Sequence, residues 1–187
     1  MKTMRIPALL ALLAVPTLAQ RERFTFDAMM KLGRVSEPAL SPDGKLVAYT
    51  LRTVDLTENK SLRHILIVPL AGGDPKVIAK EGNNERPKWT PDSKRIVFTS
   101  TRSGGSQIWS MNPDGSDPKQ LTSLASEASG QLVSPDGKNI VFVSEVYPDC
   151  PTDACNKDRL EADQKSKVKA KTYTSLLYRH WNEWRGP

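Results

Sequence analysis

Two cysteines are the residues whose type and spacing most directly suggest chemistry. Cys150 and Cys155 enclose the segment CPTDAC and are the only cysteines among the 187 residues. A metal site is weakly supported, because a four-ligand site would need a second Cys or His pair nearby and none is present. Two unlinked thiols remain an alternative, but export to an oxidising compartment would favour a disulfide that closes this small loop.

Catalytic residues are harder to find. A serine nucleophile on a sharp strand-to-helix turn would sit in G-x-S-x-G, and no such pentapeptide occurs. The segment SGGSQ (Ser103–Gln107) is typical of a glycine-bearing hairpin, and structural roles are expected for His64 and His180. The sequence therefore offers no catalytic residue, no cofactor-binding residue and no metal ligand.

The elements that would position a site are defined by an internal repeat. The phrases PALSPDGKLVAY, PKWTPDSKRIVF and QLVSPDGKNIVF place equivalent turns at Ser41, Thr90 and Ser134, in steps of 49 and 44 residues. A second phrase, LAGGDPKVI and then PDGSDPKQL, repeats from Asp74 to Asp117, a step of 43 residues. A period of roughly 40–50 residues matches one four-stranded blade of a β-propeller.

Each turn has residues suited to a hairpin. Proline presets φ for the first central position, Asp tolerates the second, and Gly takes the left-handed conformation that follows. Ser93 replaces Gly in the middle copy, so we expect that turn to be more strained. The predicted turn residues are Pro42, Asp43, Gly44, Pro91, Asp92, Pro135, Asp136 and Gly137.

The strands after the turns contain three successive apolar residues. These are Val47–Tyr49, Ile96–Phe98 and Ile140–Phe142. Because side chains alternate between the two faces of a strand, such runs predict burial on both faces, as between stacked blades. Trp89 occupies the position that Leu40 and Val133 hold in the other copies, so we expect a structural residue whose bulk matters.

We therefore predict an all-β fold, a partial β-propeller of four-stranded antiparallel blades, with two blades, the start of a third and a short N-terminal helix. RTVDLTENKSLR (Arg52–Arg63) is interpreted as an insertion between the second and third strands of blade one. Propellers close with roughly 4–8 blades, so the chain is expected to be the front portion of a longer protein. The predicted divisions are a signal peptide (1–19), a leading helix (20–37), blade one (38–86), blade two (87–130) and a partial blade three (131–187) with a charged insertion (147–175).

The N-terminus has the pattern of a secretory signal. Lys2 and Arg5 precede the apolar run IPALLALLAV, and small residues at Thr17 and Ala19 favour cleavage after Ala19. The apolar run is shorter than the ~20 residues that span a bilayer, so no membrane span is expected after signal removal. The predicted location is periplasmic or secreted.

Half of the net charge of +6 lies in one segment near the C-terminus. KDRLEADQKSKVKAK (Lys157–Lys171) holds six cations and three anions, but no aromatic residue. A basic run can bind nucleic acid or anionic lipid. In an exported protein a solvated loop or helix face is the better interpretation, and we expect no nucleic-acid partner.

The leading segment carries a resemblance to a known family. RFTFDAMMKLGRV (Arg23–Val35) predicts a helix with Thr25 as its cap, Asp27 in its first turn and Gly33 at its end. FTFDAMMKLGRVSEPALSPDGKLVAYT, directly after a signal peptide, resembles the start of the propeller domain in prolyl-oligopeptidase-type serine peptidases. The acylaminoacyl-peptidase and dipeptidyl-peptidase-like branch is the most similar, and LLYRHWNEW (Leu176–Trp184) is similar to a phrase in that branch.

This resemblance implies a propeller that sits over an α/β-hydrolase domain with a Ser-Asp-His triad and limits entry to short peptides. The implied partners are the missing downstream blades, the hydrolase domain and the peptide substrates of the full-length protein. No triad residue carries over to this chain. Glu183 and Arg185 lie where they could face a substrate tunnel, but a solvated strand edge is the default interpretation.

Two other classes remain open. TolB-like periplasmic propellers use the same SPDG turns and act as non-enzymatic protein-interaction modules. Such proteins carry a separate α/β domain ahead of the propeller, whereas here the first turn follows soon after the predicted signal. A propeller that binds glycan or protein at its surface is the third class, and nothing in the sequence excludes it.

Overall fold

The computed structural model describes residues 23–168, 170, 179–181, 183 and 184, so the predicted signal peptide at 1–19 lies outside the described residues. The elements are α1 (Phe26–Lys31), β1 (Arg34–Leu40), β2 (Leu46–Asp55), β3 (Lys60–Pro69), β4 (Lys76–Ala79), β5 (Asn84–Trp89), β6 (Ile96–Ser100), β7 (Gln107–Met111), β8 (Lys119–Gln120), β9 (Ala128–Val133), β10 (Ile140–Ser144), α2 (Asp153–Lys165), β11 (Arg179–His180) and β12 (Glu183–Trp184).

The strands form two antiparallel four-stranded sheets, the beginning of a third, and a short separate pair. The first sheet has the order β1-β2-β3-β4 and the second β5-β6-β7-β8, while β9 pairs with β10 and β11 with β12. Strands that are adjacent in sequence are therefore adjacent in each sheet, as in a propeller blade. The predicted all-β, partial-propeller fold with a short N-terminal helix is confirmed, and the sheets do not close into a ring.

The first strand of each blade begins upstream of the predicted boundary. β1 begins at Arg34, inside the segment assigned to the leading helix, and β5 begins at Asn84 rather than at 87. Both strands continue through a proline because the pairing register shifts there, between Ser36 and Ala39 in β1 and between Glu85 and Lys88 in β5. Prolines within sheets are found at such bulges, so the proline does not mark the start of the strand.

The segment Arg52–Arg63 was predicted as an insertion, but it is regular structure. It extends β2 and β3 into one long hairpin, with pairs from Arg52↔Arg63 to Asp55↔Lys60. The Asp55 carboxylate caps the turn by accepting hydrogen bonds from the backbone N–H groups of Thr57 and Glu58, each at 3.0 Å. The extra residues therefore lengthen two strands and do not form an irregular loop.

Helix α1 begins and ends near the predicted residues. Thr25 Oγ1 accepts from the backbone N–H of Ala28 at 3.2 Å, and the C-cap is Leu32. Glycine at position 33 also avoids a steric clash, since a Cβ there would lie 2.8 Å from Cδ1 of Leu51 in β2. The glycine allows the chain after α1 to pass close to blade one, although no residue of the helix itself is buried.

The core lies between the blades, and β6 shows how it is built. Ile96 and Phe98 are fully buried in a cluster with blade-one residues that include Ile65. Val97 points the other way, into a smaller cluster with Ala128 at the start of blade three. Burial on both faces is thus complete for β6, the second strand of the middle blade.

The two outer blades have one neighbour each, and their equivalent strands are less buried. Val47 and Tyr49 are half-buried, and Val141 and Val143 of β10 are 67% and 65% exposed. The apolar triplets that predicted two-sided burial therefore leave one face of blade three open in this structure.

Trp89 is a structural residue, as predicted, but its indole matters as well as its bulk. The side chain is 8% exposed and lies in the cluster between blades one and two. Its Nε1–H donates a 2.9 Å hydrogen bond to the carbonyl oxygen of Ala39 in β1. Leu40, its counterpart in blade one, is 54% exposed because no described blade precedes it.

Candidate functional site

The innermost strands of the three blades lie side by side. β1 packs against β5, and β5 packs against β9. The residue four positions before each SPDG-type turn has positive φ in every blade, with φ of 56° for Glu37, 58° for Arg86 and 66° for Gly130. These residues form a row of bulges along the wall of the inner strands.

A polar network ties the blades together at this row. One carboxylate oxygen of Glu37 accepts from the Thr50 hydroxyl at 2.9 Å and from the backbone N–H of Arg86 at 2.7 Å. The carbonyl oxygen of Arg86 accepts from the Gln131 amide at 2.6 Å, and that amide's oxygen accepts from the Thr99 hydroxyl at 2.7 Å. The backbone of Arg86 thus joins all three blades, while its guanidinium lies 3.5 Å from Glu37.

The predicted turns lie at the opposite end of the strands from α1, and each is built in the same way. The Ser or Thr hydroxyl at the start of the turn donates to the Asp carboxylate, at 2.6 Å for Asp43 and Asp92 and 2.5 Å for Asp136. This hydrogen bond is the main reason that the pKa of each aspartate is lowered, since it favours the ionised form; a backbone N–H donor adds to it.

Neighbouring turns also touch. The backbone N–H of Asp43 donates to Ser93 Oγ at 3.1 Å. Ser93 has φ of +60°, whereas Gly44 and Gly137 have φ of +71°. The middle turn therefore forces a residue with a side chain into the left-handed region, which is the strain expected from the sequence.

A cleft of about 680 Å³ opens beside blade three, at the same end of the blades as α1. Helix α2 forms one side of the cleft through Asn156, Leu160 and Gln164. The other side is formed by the ends of β9 and β10 with their flanking residues, where the hydroxyl oxygens of Ser126 and Ser144 are 3.0 Å apart. Helix α2 lies in the segment predicted as a charged insertion.

Cys150 and Cys155 are joined by a disulfide in the structure, with their Cα atoms 5.4 Å apart. Cys155 is the third residue of α2, and Cys150 lies in the turn before it. The bond therefore connects the first turn of the helix to the chain that leaves β10.

The described residues contain no assembled catalytic centre. His64 lies in β3 opposite Leu51, and its Nδ1 has no hydrogen-bond partner among the described residues. His180 pairs through its backbone with Glu183, and Arg185 lies outside the described residues. Within the same described part of the chain, no three His, Cys, Asp or Glu side chains are placed to hold a metal ion. Neither α1 nor α2 is long and apolar enough to cross a membrane.

The geometry of the described residues defines a stack of propeller blades that does not close into a ring. The chain belongs to the PD40 family, described as the TolB beta propeller domain, whose model matches residues 11–165.

Comparison with known proteins places it near one branch of that family. Dipeptidyl-peptidase 5 of Porphyromonas gingivalis is 37% identical over 173 residues, which cover 87% of this chain and 23% of that protein. The acylaminoacyl peptidase structure of Pyrococcus horikoshii matches with 25% identity and a TM-score of 0.54, over 66% of this chain and 19% of that one. A TolB homolog of Chlorobium chlorochromatii is 34% identical over 107 residues, covering 57% of this chain and 23% of that protein.

These matches confirm the predicted resemblance to the propellers of dipeptidyl-peptidase and acylaminoacyl-peptidase proteins. The chain spans about a quarter of the length of the curated relatives it matches. The positive φ of Glu37 and Arg86 was not predicted from the sequence, because neither residue type indicates a left-handed backbone. Gly130, at the same offset from its turn, is the one available hint.

Proposed function

We propose that this chain is the N-terminal propeller segment of a secreted or periplasmic serine peptidase. In this proposal the signal peptide ends at Ala19, and the blades gate the access of peptides to a hydrolase domain outside this sequence. The 37% identity to dipeptidyl-peptidase 5 over most of the chain supports the peptidase assignment.

The observation that carries the gating role is the placement of the long connections. Because successive strands are antiparallel, the SPDG-type turns lie at one end of the blades and the connections between second and third strands lie at the other. In blade one that connection is the extended β2–β3 hairpin, and in blade three the chain that leaves the second strand, β10, continues into α2. The short connection of blade two, 101–106, lies between them.

The long connections of blades one and three, on either side of the short connection of blade two, form a rim with a gap at blade two. The chain also enters β1 from α1 at this same end. A rim of this shape is suited to exclude folded proteins and to admit short, extended peptides.

The experiment uses the full-length protein, read from the genomic sequence beyond the codon for Pro187. The extended hairpin is shortened by replacing residues 53–62 with a two-residue turn, and hydrolysis of a dipeptidyl chromogenic substrate is compared with hydrolysis of a long unstructured peptide. We expect the dipeptidyl rate to be retained and the long-peptide rate to rise. Equal rates on the long peptide before and after shortening would contradict the gating role.

A second candidate is a TolB-like interaction module without chemistry. It is favoured by the match to the TolB homolog of Chlorobium chlorochromatii and by the family description. The same full-length protein distinguishes the two candidates. A reading frame without G-x-S-x-G, and no hydrolysis that a serine-directed inhibitor abolishes, would support the interaction module.

A further inference from the structure

Helix α2 has little that would hold it in place by packing. It is 13 residues long, and Asn156 is its one buried residue. Leu160 is half-buried, and the rest of the surface is largely charged or polar. Isolated helices shorter than ~12–15 residues are marginal in water, and a helix that is polar all round lacks the apolar stripe that normally fixes it to a core.

The contacts of α2 with the blades are polar. The Asp153 carboxylate accepts from the backbone N–H of Ala125 at 2.9 Å. The Asn156 side chain accepts from the backbone N–H of Tyr147 at 2.8 Å. The Tyr147 hydroxyl donates to Asp163 at 2.5 Å, and the Arg159 guanidinium lies 4.8 Å from the centroid of the Tyr147 ring.

Apart from that of Asn156, these contacts lie at exposed positions. The Arg159 guanidinium also forms an exposed ion pair with the Asp149 carboxylate. Exposed ion pairs contribute about 0–1 kcal/mol each, and holding the long side chains in place offsets part of that gain. The non-covalent contacts therefore leave the docked helix close to equilibrium with a detached one.

We propose that the Cys150–Cys155 disulfide is a redox-sensitive latch that keeps α2 docked as a strap over the cleft. Cys150 is 9% exposed, and its backbone N–H donates to the carbonyl oxygen of Tyr147 at 2.9 Å, so the latch is anchored to the chain leaving β10. Cys155 takes part in the N-cap of the helix, because its backbone N–H donates to Thr152 Oγ1 at 3.3 Å. The bond thus fixes the first turn of the helix, from which the remaining turns propagate.

Release of the latch is a thiol–disulfide exchange with a dithiol reductant. One reductant thiolate attacks a cysteine sulfur, the S–S bond breaks, and a mixed disulfide forms. The second reductant thiolate displaces the remaining cysteine. The reductant becomes a cyclic disulfide, and its two protons and two electrons end on the thiols of Cys150 and Cys155.

The size of the effect follows from the loop that the bond closes. The two cysteines are separated by five positions, so the loop contains six residues. In the chain-entropy model, closing a loop of this size favours the ordered state by about 40-fold at 25 °C. For a helix near equilibrium, the reduced strap is detached about half of the time, and the same factor keeps the oxidised strap docked most of the time.

Limited trypsin digestion of the full chain measures this opening, because cleavage after Arg159 requires the middle of α2 to unfold. Three samples are compared: the oxidised protein, the protein reduced with dithiothreitol, and the Cys150→Ser/Cys155→Ser variant. Cleavage after Lys167, which follows the end of the helix, is the internal control. Hydrogen exchange of the β6 and β7 amides reports whether the blades remain folded.

We expect cleavage after Arg159 to be about 20-fold faster in the reduced protein and in the variant than in the oxidised protein, because the detached fraction rises from about 1 in 40 to about one half. Cleavage after Lys167 and exchange in β6 and β7 should not change, and dithiothreitol should have no effect on the variant. Three results would each overturn the proposal. These are alkylatable thiols in the oxidised protein, equal cleavage after verified reduction, and loss of β6 and β7 protection on reduction.

Discussion

The hydrogen bond from Trp89 to blade one gives a prediction whose size can be worked out from the structure. Trp89→Phe keeps an aromatic ring between the blades but removes the N–H that donates to Ala39 at 2.9 Å. Loss of a buried hydrogen bond costs about 1 kcal/mol, and the smaller buried ring costs roughly 1 kcal/mol more. Trp89→Ala should cost about 3–5 kcal/mol, and Trp89→Leu should fall between the two because it lacks both the N–H and part of the bulk.

Trp109 provides the matched control. Its ring also packs in blade two, with the Arg102 guanidinium 4.9 Å from its centroid, but its Nε1 is buried without a hydrogen-bond partner among the described residues. Trp109→Phe therefore removes no hydrogen bond, and its cost should be about 1 kcal/mol smaller than that of Trp89→Phe.

Urea unfolding followed by far-UV circular dichroism, at low protein concentration, gives the free energy of unfolding for each variant. Far-UV dichroism is preferred to fluorescence because the substitutions remove fluorophores. If Trp109→Phe costs as much as Trp89→Phe, the hydrogen bond contributes nothing measurable, and bulk alone explains the position. An unchanged m-value in all variants is required for the comparison.

The remaining predictions concern acid stability, close backbone approach and the open blade face. The turn aspartates have a lowered pKa. Their contribution to stability is therefore complete above the ordinary pKa of 3.8 and is lost as the pH falls through the lowered folded-state pKa. Acid titration of Asp136→Asn should show a shallower loss of stability than that of the parent protein. Gly82→Ala should cost roughly 1–3 kcal/mol more than Gly44→Ala, because the two glycines have nearly equal φ of +69° and +71° but only a Cβ at 82 meets a backbone atom, 2.8 Å away; equal thermal shifts would contradict this. The double substitution of Val141 and Val143 by Lys should reduce concentration-dependent association in sedimentation velocity and binding of a hydrophobic dye, whereas unchanged association would show that the open blade face is not responsible.

The repeat was sufficient to predict the blades. Turns at Ser41, Thr90 and Ser134 set the register, and the apolar triplets after them predicted second strands buried on both faces, which the structure shows in full for β6. That inference depends only on the period-2 alternation of side chains, which tertiary context does not change.

Other features depend on contacts that a single sequence does not reveal. The β2–β3 extension was interpreted as an insertion because its polar residues hide the strand alternation. Helix α2 has no apolar periodicity from which a helix could be predicted. Positive φ at Glu37 and Arg86 follows from the bulges that admit Pro38 and Pro87 into the inner strands, and the residue types alone give no sign of it. The contact between Trp89 and Ala39 joins two blades across 50 positions of sequence.

At Arg86, the contacts that join the blades are made by the backbone, and the charge is carried by the side chain. Its N–H and carbonyl oxygen make the contacts with Glu37 and Gln131, and every amino acid except proline supplies both groups. Docking at Arg86 therefore depends on its backbone, whereas in blade one the side chain of Glu37, at the equivalent position, supplies the acceptor. In the three blades the position holds an acid, a base and a glycine. Substitution of the Arg86 side chain therefore changes the charge along the inner wall while the backbone contacts that join the three blades persist.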